Sequence, residues 1–159
     1  MYMHDVSTST NAVWWRMDER CACTMVAKAH RALFRFYEQE MLGSGLTITQ
    51  FAIGRALQRN GPTPLSALAA ELVMDRTSLY RTIRPMVDGR WVRIVEAPRG
   101  RAKVASLTAR GRRALAAAEP SWARVQRSAV AAIGSKDFAA LARALTRVPE
   151  ALEATRNSR

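Results

Sequence analysis

The sequence predicts a mainly α-helical fold that carries one small β-hairpin. Most of the 159 residues fall into segments whose apolar positions recur every three to four residues, as on one face of a helix. Residues 91–95 and 102–107 instead favour strands, and the turn-forming residues 97–100 separate them. A chain of this length with 48% hydrophobic residues fits one compact lobe plus helices shared with a partner.

The ends of the first two helices are predicted from turn and capping residues. Residues 21–42 carry the apolar face of a long helix. Gly43 and Gly45 are expected to end it, because glycine readily takes the left-handed conformation. Thr49 is the expected cap of a second helix, which stops at the Asn-Gly-Pro turn of residues 60–62.

Two short helices joined by a tight turn are predicted next. Thr63 is expected to cap the third helix and Pro64 to take its first position. The turn at residues 73–75 leads to the fourth helix. The apolar stripes are Leu65, Leu68, Ala69 and Leu72 in the third helix and Leu79, Ile83, Met86 and Val87 in the fourth. Such a pair predicts a helix-turn-helix, and the basic hairpin that follows predicts a wing.

The chain ends in two predicted helices with long apolar stripes. Thr108 is expected to cap the fifth helix, and Gly134 and Ser135 separate it from the sixth. The stripe residues are Leu115, Ala118, Trp122, Val125, Ala129 and Ile133, followed by Phe138, Leu141, Leu145, Val148 and Leu152. Because the small lobe cannot cover them all, we expect the first, fifth and sixth helices to pack against a second copy. A monomeric bundle is the alternative.

The predicted organisation has three parts. Residues 1–17 form a flexible N-terminal arm, residues 46–107 form the winged helix-turn-helix lobe, and residues 18–45 and 108–156 form the dimerisation helices. No stretch has the ~20 apolar residues of a membrane helix, and the N-terminus lacks the apolar core of a secretion signal. We therefore expect a soluble cytoplasmic protein with no membrane partner.

The charge predicts double-stranded DNA as a partner. The formal net charge is +12, and basic residues dominate from Arg76 to Arg113, where Asp88 and Glu96 are the acids. A solvated surface with no polyanionic partner usually mixes both signs. This concentration of one sign therefore favours a nucleic-acid-binding face.

Neither an enzyme nor a metal site is predicted. The histidines are His4, in the expected arm, and His30, within a helix, and we find no nucleophile-base-acid set or phosphate-binding glycine loop. Cys21 and Cys23 stand in CxC spacing without a second pair, which does not support a zinc site. No catalytic residue, metal or cofactor is expected.

Three fragments in order resemble the MarR family of bacterial transcription regulators: GLTITQFAIGRAL, LSALAAELVMDRTSLYRTI and GRAKVASLTARGRRAL. The resemblance covers roughly residues 20–155. It implies a triangular dimer joined through terminal helices, in which each winged lobe binds one half of a palindromic operator. Members of the family usually repress transcription, so the resemblance implies a repressor, with an activator as the alternative.

The predicted wing departs from the family pattern at two places. The family usually has Asp-x-Arg before the second strand, whereas this chain has Arg99-Gly100-Arg101, so Arg101 matches the wing-tip arginine and Arg99 replaces the acid that orients it. The glycine that usually precedes the hydrophobic-valine pair falls on Arg90, one place after Gly89. The lost acid predicts a wing that is more mobile, or one that binds phosphate more and sequence less.

The predicted DNA-binding residues lie on the fourth helix and in the wing. They are Arg76, Thr77, Ser78, Tyr80, Arg81, Arg84, Arg99, Arg101 and Lys103. Since the major groove of B-DNA admits one helix, we expect Arg81 and Thr77 to contact bases. The wing arginines are expected to enter the minor groove, and Lys103 to contact the DNA backbone. A nucleoid-type protein without sequence preference is the alternative.

Two switches are compatible with the sequence. The resemblance implies release by a small aromatic effector, and Arg55 would meet its carboxylate. The candidate lining residues are Trp14, His30, Phe34, Tyr37 and Arg55. The alternative is thiol oxidation, because Cys23 lies near the start of the first helix, as does the reactive cysteine of hydroperoxide-sensing members, and Cys21 can trap a sulfenic acid. Against this switch, we expect the two cysteines to be buried and inert.

Overall fold

The computed structural model describes residues 21–97 and 102–158. The predicted arm at residues 1–17 and the wing tip at residues 98–101 lie outside the described residues. The chain divides into two compact units, one that extends to Phe36 and one that begins at Tyr37.

The described residues form six α-helices and three short strands. In chain order these are α1 (Ala22–Met41), α2 (Ile48–Asn60), β1 (Thr63–Pro64), α3 (Leu65–Glu71), α4 (Arg76–Asp88), β2 (Val92–Glu96), β3 (Lys103–Leu107), α5 (Ala109–Ile133) and α6 (Ser135–Asn157). The mainly helical fold with a small hairpin is therefore confirmed.

The cap of α2 is Thr47, so the expectation of Thr49 was wrong. The Thr47 hydroxyl accepts a hydrogen bond from the Gln50 backbone N–H, and the Gln50 side chain accepts one from the Thr47 N–H. This reciprocal capping box satisfies two otherwise unpaired donors. The Glu38 carboxylate accepts from the Ile48 N–H at 2.8 Å, which ties α1 to the start of α2.

Thr63 and Pro64 form strand β1 and do not begin α3 as predicted. They pair antiparallel with Ala105 and Val104 of β3, which gives the sheet order β1-β3-β2. Because β1 is an edge strand, the missing N–H of Pro64 is tolerated. The Thr63 hydroxyl donates to the Gly61 carbonyl at 3.0 Å, and α3 begins at Leu65 without a side-chain cap.

The predicted hairpin is present with slightly different bounds. β2 and β3 pair antiparallel from Val92 opposite Leu107 to Glu96 opposite Lys103. The strand bounds therefore lie within one residue of those expected. This pairing places Lys103, the first residue of β3, opposite Glu96, the last residue of β2.

The core of the winged lobe lies where α2, α3 and α4 meet the sheet. It contains the predicted stripes of α3 and α4, with Leu72 and Val87 only partly buried at its edge. Its fully buried residues include Ile53, Leu57, Leu68, Leu79, Ile83, Met86, Val92 and Ala105. The two helices of the predicted helix-turn-helix thus share one core with the wing.

The apolar stripe of α5, which was expected to face a second copy, is largely buried within the chain. Leu115, Ala118 and Val125 pack in a cluster with Met41, Leu46 and Phe51. The contact forms because the end of α1 and the start of α2 lie against α5 and remove this stripe from water. Thr108 caps α5 as predicted, with its side chain accepting from the Gly111 N–H.

The stripe of α6 behaves differently, because no residue of this helix is buried. Leu145, Val148 and Leu152 are 40%, 41% and 65% exposed. We call these three residues the α6 stripe. A row of large apolar side chains along one helix face, left in water, indicates a surface that another molecule covers.

Candidate nucleic-acid interface

The start of α4 is fixed by Asp75. Its carboxylate accepts hydrogen bonds from the Ser78 backbone N–H at 2.9 Å and from the Ser78 hydroxyl at 2.6 Å. The bond from the Ser78 hydroxyl is the largest cause that lowers the pKa of Asp75. The carboxylate therefore stays ionised at the helix N-terminus, where negative charge is favoured.

The outer face of α4 consists of Arg76, Thr77, Tyr80, Arg81 and Arg84, which are all exposed. Leu79, Ile83 and Met86 bury the opposite side in the lobe core. The helical repeat therefore places predicted base-contacting and phosphate-contacting groups on one side of one helix.

The other predicted DNA-binding residues differ in burial and in location. Ser78 is half-buried and its hydroxyl belongs to the Asp75 cap. Lys103 is exposed at the start of β3. Arg99 and Arg101 lie outside the described residues.

A cleft of about 280 Å³ separates the start of α4 from β3. We call it the α3-α4-β3 cleft. Its lining residues are Leu65 and Ser66 of α3, Arg76, Leu79 and Tyr80 of α4, and Ala102 and Lys103 at the wing. The sequence had pointed to Arg76, Tyr80 and Lys103 but not to Ser66, whose only signal was its place at the start of the helix before the predicted turn.

The base of the wing is joined tightly to the start of α5. The Thr108 N–H donates to the Trp91 carbonyl at 3.0 Å, and the Thr108 hydroxyl donates to the Arg90 carbonyl at 2.7 Å. A Cβ added to Gly111 would lie 2.0 Å from the Trp91 carbonyl oxygen. Arg90 has a φ of +58°, the left-handed conformation that favours glycine.

The candidate effector-lining residues fall into both units of the chain. In the first unit, the rings of His30 and Phe34 lie 5.6 Å apart on α1, and both side chains are exposed. In the second unit, Tyr37 donates to the Gln126 side-chain oxygen at 2.5 Å, and burial raises the pKa of Tyr37. Trp14 lies outside the described residues.

Arg55 already has partners within the second unit. Its guanidinium lies 3.0 Å from the Glu119 carboxylate and 5.8 Å from the centre of the Trp122 ring. An effector carboxylate that binds Arg55 would therefore have to compete with Glu119.

The cysteines are accessible. Cys23 is the second residue of α1, and the side chains of Cys21 and Cys23 are both exposed. The expectation of buried, inert cysteines was therefore wrong. The backbone carbonyl of Cys21 accepts the first hydrogen bond of α1, from the Met25 N–H at 2.9 Å.

The described part of the chain contains neither a metal-binding cluster nor a membrane span. No group of three or more His, Cys, Asp or Glu side chains is placed there to hold a metal ion. No helix within residues 21–97 and 102–158 combines the length and the hydrophobicity of a membrane span.

Comparison with known proteins places the chain in a family. No family model and no curated protein matches the sequence. The crystal structure of the Mycobacterium tuberculosis transcriptional regulator MosR in complex with DNA matches it with a TM-score of 0.76 and 34% identity, over 86% of this chain and 98% of that one. This chain belongs to the MarR family. MarR-family membership confirms the winged-helix fold expected from the sequence and identifies the chain as a transcription regulator.

More distant MarR-type structures share the fold alone. Escherichia coli MarR complexed with operator DNA matches with a TM-score of 0.72 and 16% identity, over 89% of this chain and 99% of that one. Bordetella bronchiseptica BpsR, whose DNA binding is regulated by 6-hydroxynicotinic acid, matches with a TM-score of 0.71 and 16% identity, over 93% and 98%.

Proposed function

We propose that this MarR-family chain binds a palindromic DNA operator as a homodimer and represses transcription there. The observation that carries the proposal is the outer face of α4, where arginine and hydroxyl side chains lie opposite a buried apolar stripe. A helix held rigidly by its core and charged on its free side suits the major groove. The DNA complexes of MosR and MarR support this assignment.

Specificity and affinity are assigned to different residues. Arg81 and Thr77 contact bases, because arginine can bond guanine through two donors at once. Arg76, Arg84, Tyr80 and Lys103 contact phosphates, and Arg99 and Arg101 extend the contact into the minor groove from the wing. In this proposal, residues 46–107 form the DNA-binding lobe.

Dimerisation is assigned to residues 18–45 and 108–156, with the α6 stripe as its main apolar surface. The stripe is exposed in the single chain, and its residues lie on one face of α6 at steps of three and four. A second copy offers the same surface, so a two-fold interface can cover both stripes together.

Release from DNA is assigned to a small aromatic acid. The regulation of BpsR by 6-hydroxynicotinic acid supports this class of effector. Arg55 supplies the cation, and binding would exchange its Glu119 partner for the effector carboxylate. Tyr37, which lies in the same unit as Arg55, is the aromatic candidate for the rest of the site.

Selection from a pool of random duplexes at near-physiological salt tests the proposal. We expect the wild type to enrich a palindrome whose half-sites lie about one helical turn apart. Arg81→Ala should lose about 1–3 kcal/mol of discrimination at one base pair of each half-site. Arg147→Ala, an exposed arginine of α6, is the matched control and should leave the enriched sequence unchanged. Tight binding with no enriched sequence would instead identify a nucleoid-type protein.

Thiol oxidation is a second candidate switch, which the exposure of Cys21 and Cys23 favours. The Cys23 thiolate would attack a peroxide to give a sulfenic acid and release hydroxide. The Cys21 thiol would then attack that sulfur, form a disulfide and release water. A bond between residues two apart strains a helix, so oxidation would unwind the first turn of α1.

Peroxide titration of the reduced protein on its selected operator checks this switch. We expect oxidised wild type to lose about tenfold or more in affinity if α1 contributes to the dimer. Cys23→Ser should keep its affinity under the same treatment, and mass spectrometry should show the loss of two hydrogens in wild type only. Unchanged affinity of the oxidised wild type would exclude the switch.

A further inference from the structure

The α3-α4-β3 cleft gathers four polar side chains from three elements. Ser66 comes from α3, Arg76 and Tyr80 from successive turns of α4, and Lys103 from the start of β3. The four residues are exposed, and no acidic side chain is among the lining residues. Within the described part of the chain, neither Arg76 nor Lys103 has an ion-pair partner.

The chemistry of this set fits one kind of ligand. Two cations and two hydroxyls are donors toward a small anion with several acceptor oxygens. The buried residues Leu65 and Leu79 also line the cleft, and their apolar side chains do not compete for the anion. The cleft is open to solvent, and its volume of about 280 Å³ leaves room for a phosphodiester group.

We propose that this cleft holds one phosphodiester of the DNA backbone, with Ser66 as a further contact residue shared with Arg76, Tyr80 and Lys103. This inference rests on the proposed DNA-binding function and goes beyond it. A phosphate that contacts α3, α4 and β3 together fixes the position of α4 and of the wing on the DNA, because all three elements bind the same group. Ser66 is then a positioning residue that contributes affinity but no base preference.

Substitution of phosphates, one position at a time, tests this arrangement directly. A series of operator duplexes, each with the same phosphate of both half-sites replaced by a neutral methylphosphonate, is titrated with wild type, Ser66→Ala, Lys103→Ala and the double variant. On unmodified DNA, Ser66→Ala should weaken binding about tenfold, to operator and random duplex alike. Lys103→Ala should lower the steepness of log K against log salt by about two, one for each subunit of the dimer.

We expect one methylphosphonate position at which neither Ser66→Ala nor Lys103→Ala lowers DNA affinity any further. At that position wild type and Ser66→Ala should bind equally, and on unmodified DNA the two substitutions should be non-additive. Ser135→Ala, an exposed serine at the start of α6, is the control and should bind like wild type throughout.

Two outcomes separate this inference from the proposed function. If wild type binds its operator but no single phosphate position cancels the Ser66→Ala effect, or Ser66→Ala binds like wild type, the shared phosphate is excluded while the regulator remains. If wild type does not bind DNA at all, the proposed function itself fails.

Discussion

Gly111→Ala is expected to destabilise the protein by about 3 kcal/mol, near the upper end of what one added methyl group costs in a packed site. The new Cβ would lie 2.0 Å from the Trp91 carbonyl oxygen and 2.8 Å from the carbonyl carbon. Neither is a side-chain atom that can rotate away, so the start of α5 must separate from the base of β2. Separation would also break the Thr108 bonds to the Arg90 and Trp91 carbonyls.

Urea unfolding followed by circular dichroism, at a fixed protein concentration, measures this change. In a chain of this size the melting temperature should fall by about 10 °C. Gly43→Ala is the matched control, because its Cβ would meet nothing within 4 Å. Gly54→Ala should fall between them, since the Leu115 methyl group 3.0 Å from its Cβ can shift. Equal stabilities of the Gly111 and Gly43 variants would contradict the close approach seen at Trp91.

Most of the fold could be predicted because it follows from local patterns. The stripes of α3 and α4, the Thr108 cap and the strand-forming residues of the hairpin are all encoded within a few residues of where they act. Prediction of the helix-turn-helix required only that these local patterns follow one another in the right order. Its recognition face followed from the same repeat, because residues that avoid the buried side must face outward.

The features that the sequence did not predict depend on contacts distant in the chain. Thr47 and Thr49 are both good caps, and the choice of Thr47 is reinforced by Glu38, which lies ten residues before Ile48. Strand β1 exists only through its pairing with β3. The burial of the α5 stripe likewise depends on α2 packing against it.

The same distinction applies to the candidate site. The outer face of α4 follows from one helix, whereas the α3-α4-β3 cleft exists only once three elements have packed. The place of Ser66 near the start of a predicted helix was therefore not enough to identify it. At Arg90 the family pattern did carry a signal for the backbone conformation. The family usually has glycine at this position, and Arg90 adopts the left-handed conformation that glycine favours, with a φ of +58°. This arginine bears a conformational cost of about 1–2 kcal/mol that glycine would avoid.

The largest expected effect on assembly is that of the double variant Leu145→Glu with Leu152→Glu. Burial of a leucine contributes about 1.5–3 kcal/mol, and a two-fold interface carries each substitution twice. Because the single chain leaves only 40% of Leu145 and 65% of Leu152 exposed, loss of these contacts removes roughly 3–6 kcal/mol, about 10²–10⁴-fold in the dimerisation constant. Sedimentation at micromolar concentration should then show a monomer. Because both side chains are 40% or more exposed in the single chain, the helix content should be retained.

The matched control places the same charges on the opposite side of α6. Ala139→Glu with Ala154→Glu introduces two carboxylates into exposed positions of the same helix and should leave a dimer. Operator affinity should fall at least about 100-fold in the stripe variant only, because a monomer engages one half-site and loses the second, linked contact. A stripe variant that stays dimeric would place the interface elsewhere. A monomer with undiminished operator affinity would show that the two lobes act independently, and the palindromic operator would lose its physical basis.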